Sequence, residues 1–347
     1  MRMTHGPCRS RNQYQLGVTM KHLFKSALVK SAVVAAGLVG AAAPALADEV
    51  VLNAVTLAPR QVNITEPFAL FVDEVNERFE GRVRIVWRGG PEVMPPFRQA
   101  EGVRNGSIDM AYTSPSYYGG LVPASPTMNL SFNDYETIAA TDYHERLTEL
   151  HEEQGLVLLG EIPATDLDFL IYLAEPIESL DELQGKRIRV FPTLLPLIQA
   201  LGAEPIVLPM EEIFTAMERG TVDGFVQGPV GNHLQFEGIV QQVIYPGVYR
   251  AGFPVLVNPD TWAEIPAETQ AELVSFLRDD FAPRMDEIWE DDLAQGVAEM
   301  EQAGFQRLEL TGADEEAYRQ TAMDAAWATI VESAGEEIAA ELRPMME

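Results

Sequence analysis

The sequence predicts an α/β fold in two lobes. Between Gly185 and Pro229, short apolar strands alternate with short helices, the pattern of parallel βαβ units. Once a leader is set aside, 300 residues remain, enough for two domains with cores of their own.

The leader is residues 1–47. Lys21, Lys25 and Lys30 precede an apolar run of small residues, Ser31 to Ala43, and then Ala45-Leu46-Ala47. A charged region, an apolar region and an A-x-A site in that order read as a secretory signal peptide. The apolar run is too short to cross a bilayer as a helix. Residues 1–19 precede a second methionine, Met20, where a leader of ordinary length would begin. The secreted protein is expected to start at Asp48; its intact mass checks this, and any other N-terminus would put cleavage elsewhere.

The whole chain has 53 acidic and 24 basic residues, a formal net charge of −29. The leader holds six of the basic residues and no acidic one, so the remainder carries −35. A surface that acidic repels nucleic acid and anionic lipid. The single cysteine, Cys8, lies in the leader, which removes disulfides and thiol chemistry from the mature chain.

Glu49 to Val55 reads as the first strand, and the loop Thr56 to Ile64 beyond it as a candidate pocket wall. Thr65 is placed to cap a helix with Pro67 in its first turn. Phe68, Phe71, Val72, Val75 and Phe79 follow at helical spacing and read as core. Arg82 to Trp87 alternates as a strand, Phe97 to Arg104 is a short helix stopped at Asn105-Gly106, and Ile108 to Thr113 is a strand. Ser114, just beyond it, reads as a turn cap or as a hydroxyl donor at a strand end. Asp134 to Glu153 reads as helix. Its His144 and His151 lie seven residues apart, two turns or about 10.5 Å along a helix, so one zinc ion cannot take both. They read as surface or packing histidines.

Gly155 to Glu161 is a strand, and Phe169 to Leu173 crosses to the second lobe. In the central stretch the strands are Arg187–Phe191, Pro205–Leu208 and Val222–Gln227, with helices at Leu194–Leu201 and Glu211–Arg219. Ligands of such sheets sit beyond the carboxyl ends of the strands, where Arg189 and Gln227 fall. Arg189 offers a permanent charge and a planar fork suited to a carboxylate. By spacing alone, Arg187 and Arg189 read equally as exposed residues of one sheet face. Gln241–Val248 and Phe253–Val257 read as strands returning through a hinge. Ala267 to Ala303 is a long amphipathic helix that Pro283 should kink, Gln306 to Leu310 a last strand, and Asp314 to Met346 helical.

The segments GKRIRV and ALGAEPIVLPMEEIFTAMERGTVDG, with FRQAEGVRNGSIDMAYTSP upstream and PGVYRAGFPVLVNPDTWAEIP downstream, resemble the periplasmic solute-binding proteins of tripartite ATP-independent (TRAP) transporters. The resemblance covers most of the chain after residue 48. It implies two lobes joined by a hinge, with a long helix spanning both. Lobe I would take residues 48–170 and part of 255–300. Lobe II would take 171–254 and part of 300–347. It implies that Arg189 grips a ligand carboxylate, that Gln227 bonds a neighbouring oxygen, and that Ser114 faces the cleft. Phe191, two residues beyond Arg189, would cover the ligand's apolar part.

In one place the sequence departs from the family's pattern. Carboxylate-binding relatives often carry an additional arginine near the crossing, where this chain has Asp166-Leu167-Asp168-Phe169. A cleft-facing Asp168 would repel a second acid group and favour a hydroxy-, amino- or sugar-type monocarboxylate. A solvated turn is the other reading of both aspartates. The expected partners are a small organic anion and an ion-driven permease, with no nucleic acid, cofactor or metal, and a monomer or dimer. A receptor for an ABC importer or a sensor kinase remains open within the same class. A secreted hydrolase would need a nucleophile elbow, P-loop, HExxH motif or cysteine cluster, none of which the sequence holds.

Overall fold

The computed structural model describes residues 49–347 apart from Asn232; the expected signal peptide lies outside the described residues. Eleven strands are described: β1 (Val50–Thr56), β2 (Val83–Gly89), β3 (Met110–Tyr112), β4 (Val157–Ala164), β5 (Phe169–Leu173), β6 (Arg187–Val190), β7 (Glu204–Val207), β8 (Gly224–Gln227), β9 (Gln242–Val248), β10 (Ala251–Val257) and β11 (Gln306–Glu309). They form two sheets, one per lobe. Sheet A has the order β2-β1-β3-β10-β4 and sheet B the order β11-β9-β5-β8-β6-β7.

The predicted βαβ units are present: β6 runs parallel to both β7 and β8. Each sheet also contains antiparallel pairs made by strands next to the crossings. β10 is antiparallel to β3 and β4, and β5 is antiparallel to β8 and β9. The chain passes from sheet A to sheet B between β4 and β5. It returns between β9 and β10 through Tyr249 and Arg250 alone. Tyr249 takes a positive φ of 63°, a conformation rarely adopted by a bulky side chain. Its hydroxyl donates to the Ala322 carbonyl at 2.6 Å, which ties the crossing to the helix Ala313–Ala334.

Lobe I packs the helix Glu66–Arg78 on sheet A. The predicted stripe of Phe68, Phe71, Val72, Val75 and Phe79 is buried. Phe68 stacks on Tyr112 with centroids 5.1 Å apart, and Phe71 on Phe276 at 6.1 Å. Thr65 precedes that helix as expected but does not cap it. Its hydroxyl donates backwards to the Val62 carbonyl at 2.9 Å, because its backbone is already turned towards helical angles. Lobe II buries one sheet face in the main core. The other face forms a smaller cluster of Leu170, Tyr172, Ile213, Met217, Phe225 and Phe236.

The segment predicted as one kinked helix is broken further than expected. A helix ends at Ser275, a wide π-helical turn covers Phe276–Phe281, and a tight turn at Ala282–Arg284 leads into the helix Met285–Gln302. Pro283 supplies no N–H and its ring crowds the preceding turn, so the chain widens before it. The last of these helices spans both lobes. Trp289 donates from its indole N–H to Pro163 of β4 at 2.9 Å, while Glu299 accepts from the His233 backbone N–H at 2.9 Å.

Candidate functional site

The carboxyl ends of β3, β6 and β8, the loop after β1 and the return strand β10 converge on one cavity between the lobes.

Arg189, on β6, is its centre. It is 2 % exposed. Its Nε donates to the Leu208 carbonyl at 2.8 Å and its Nη1 to the Val226 carbonyl at 3.1 Å. Two strand ends thus hold the guanidinium plane in position, and the Tyr117 phenol adds a side-chain hydrogen bond to it. No carboxylate among the described residues lies within ion-pair distance. Burial pushes the Arg189 pKa down from its ordinary value, while the Tyr117 phenol and Glu211 act the other way. Arg187 behaves differently although it shares the strand face. It pairs with Asp223 at 2.6 Å and bonds the Gly220 carbonyl, at the amino end of the strand.

Phe191 lies on the cavity wall, edge-on to Phe169 with centroids 4.6 Å apart. Ser114 lines the cavity and donates to Ser116 at 3.3 Å. The Ser116 hydroxyl lies 2.7 Å from that of Thr193, which follows β6 in the other lobe. The lobes therefore touch directly beside the cavity. Gln227 lines it too, with a long 3.5 Å bond from Nε2 to the Val230 carbonyl.

Four of the five expected site residues, Arg189, Gln227, Phe191 and Ser114, thus share one cavity. Asp168 does not. Successive residues of an extended chain point to opposite sides, so Leu167 and Phe169 line the cavity while the Asp168 carboxylate packs on Gly247, on the β9 side of the crossing. A side chain on Gly247 would have its Cβ 2.3 Å from that carboxylate. Burial pushes the Asp168 carboxyl up to about 6, against the Gly247 N–H and Arg319. An acid with a raised folded pKa holds its proton more tightly when folded. That contribution is gained as pH falls through about 6 and lost as pH rises again. Asp168→Asn should therefore be the more stable protein at pH 7.5, by roughly 1–3 kcal/mol, and should converge with the parent near pH 4. Thermal unfolding of both across that range checks it; superimposable pH profiles would show that Asp168 titrates normally.

Tyr117 and Asn129 were missed by the sequence reading. Tyr117 stands beside the Arg189 guanidinium, and burial raises its pKa while Arg189 lowers it. Asn129 lines the cavity and donates to the Arg250 carbonyl at 2.9 Å. Neither histidine lines the cavity: His144 approaches the buried Glu161 carboxylate at 3.6 Å, and His151 packs in the core. His151 is buried, with Nδ1 2.7 Å from the Leu147 carbonyl and Nε2 3.0 Å from the Tyr118 hydroxyl, and burial lowers its pKa to about 4. Among the described residues no cluster of His, Cys, Asp or Glu could hold a metal ion.

The model of the family described as bacterial extracellular solute-binding protein, family 7 (DctP) matches residues 54–334. The chain belongs to that family. This family 7 protein is 24 % identical over 312 residues to the C4-dicarboxylate-binding periplasmic protein DctP of Rhodobacter capsulatus, covering 85 % of this chain and 88 % of that one. It is 26 % identical over 205 residues to a monocarboxylate 2-oxoacid-binding periplasmic protein of Nostoc sp., covering 56 % of each. Its fold is similar to a TRAP periplasmic solute-binding protein of Desulfovibrio salexigens solved with orotic acid. There the TM-score is 0.76 at 20 % identity, over 86 % of this chain and 98 % of that one. Family and fold are those of periplasmic solute-binding receptors and not of enzymes.

Proposed function

We propose that this chain is the solute receptor of a TRAP transporter, which closes on a small organic acid and delivers it to an ion-driven permease. One observation carries the reading. Arg189 is a buried cation held in place by two backbone carbonyls, with no carboxylate partner among the described residues. A buried charge left unpaired is costly, and a ligand carboxylate would supply the missing partner. Arg250 is the contrasting case, equally buried but paired with Glu161 at 2.8 Å. Two curated relatives are named for binding organic acids, which supports the same class of ligand.

The lobes work as a clamp. Arg189, Phe191 and Gln227 belong to lobe II, and Ser114, Tyr117 and Asn129 to lobe I, so an enclosed ligand touches both. It favours closure by the difference in its affinity for the closed and open forms. No bond of the ligand is made or broken.

The test has two stages. Protein freed of carried-over solute by unfolding and refolding is titrated with organic acids in a calorimeter. Uptake of the acid found is then measured in vesicles containing the two membrane subunits. Uptake driven by an ion gradient is expected, and a requirement for ATP would move the protein to an ABC importer. The earlier expectation of a hydroxylated, amino or sugar acid rested on Asp168 facing the cleft, and the position of that side chain removes its support.

A further inference from the structure

We infer that the solute is a monocarboxylate with a compact apolar body, branched-aliphatic or aromatic. The inference rests on the receptor reading above and narrows it. Among the described lining residues five side chains are polar, Ser114, Tyr117, Asn129, Arg189 and Gln227, and most are already engaged. Ser114 bonds Ser116, and Asn129 donates to the Arg250 carbonyl and accepts from Ser116 at 3.4 Å. Tyr117 is held against Arg189. Gln227, with its long bond to Val230, has the capacity to meet one more ligand oxygen.

The rest of the described wall is apolar or glycine. Phe169, Phe191, Phe253, Val226, Val230 and Leu57 make up much of it. A polyhydroxylated acid would press several hydroxyls against these side chains with no partner, and each unpaired buried hydroxyl is unfavourable. A dicarboxylate meets a different obstacle. Arg189 is the one cation among the described lining residues, so a second carboxylate would be buried unpaired.

An adjoining hollow adds an independent reason. This second hollow shares the Val62, Met210, Gln227 and Gly231 walls and is lined by Glu211. A ligand long enough to reach it would bring its far end towards that carboxylate. A second anionic group there is repelled, whereas an apolar end stays among the aromatic walls.

The test is a calorimetric panel on the refolded protein. It holds isovalerate and phenylacetate as apolar monocarboxylates, succinate and glucuronate as competitors, and isovaleramide and phenylacetamide as uncharged counterparts. At least one apolar acid should bind about tenfold or more tighter than succinate and glucuronate. Both amides should bind at least about 100-fold more weakly than their acids. Succinate or glucuronate binding as tightly, with both amides silent, would overturn the apolar class and leave the organic-acid receptor standing. Amides that match their acids, or no binding by any acid, would overturn both.

Discussion

The Arg189→Ala protein is expected to bind its solute roughly 30- to 5,000-fold more weakly than the parent, the range set by truncating one partner of a buried charge pair, about 2–5 kcal/mol. Arg189→Lys should recover little of this. A lysine ammonium is one point of charge on a flexible stem. It cannot bond the Leu208 and Val226 carbonyls as Nε and Nη1 do while still offering a planar edge to a carboxylate. Calorimetry with the tightest acid checks both variants, and circular dichroism of each confirms folding, since both lose support for those carbonyls. A folded Arg189→Ala protein with parental affinity would remove Arg189 from the site.

The second large effect concerns stability. Glu161 is fully buried on β4, and Arg250 at the return crossing is buried with it. They pair at 2.8 Å, and His144 approaches the same carboxylate at 3.6 Å. Burial alone would raise the Glu161 pKa; Arg250 and His144 outweigh it and hold it well below the usual carboxylate range. Arg250→Met strands a charged, desolvated carboxylate and should cost about 3–5 kcal/mol. The unfolding midpoint should fall by roughly 6–15 °C. Glu161→Gln with Arg250→Met should recover part of the loss, because the stranded charge is gone. The pair's contribution is present above the ordinary carboxylate range and declines as pH falls through it towards the folded value. The parent should therefore lose stability below about pH 4.5 faster than the double variant. Thermal melts decide it, and an Arg250→Met protein as stable as the parent would show that the ion pair contributes nothing.

What could be read from the sequence followed regular periodicity. Arg189 and Phe191 sit two apart on a strand, and the carboxyl ends of parallel strands locate a crevice, so their common cavity was foreseeable. Gln227 followed from the same rule. The loop 56–64 was also foreseen, and Leu57, Val62 and Ile64 line the cavity. Asp168 went astray at a crossing, where strand β5 had not yet begun and alternation could not be phased. Tyr117 and Asn129 lie in irregular turns, Pro115–Tyr118 and Ser125–Asn129, which carry no period to read. The aromatic pair Tyr117-Tyr118 straight after a strand end was the available cue. The return crossing was anticipated as a hinge, but its buried ion pair joins residues far apart in the chain, and only the fold brings them together.

The interleaving of the two sheets also bears on how the chain is made. Strand β10 pairs with β3 and β4 at the heart of sheet A, yet it follows most of sheet B in the chain. Strand β11 closes the edge of sheet B only at Gln306–Glu309. Neither lobe can be completed by a ribosome that has made only the first half of the protein. Pairings so distant in sequence are slow to form, so neither sheet reaches its final strand order until late in synthesis.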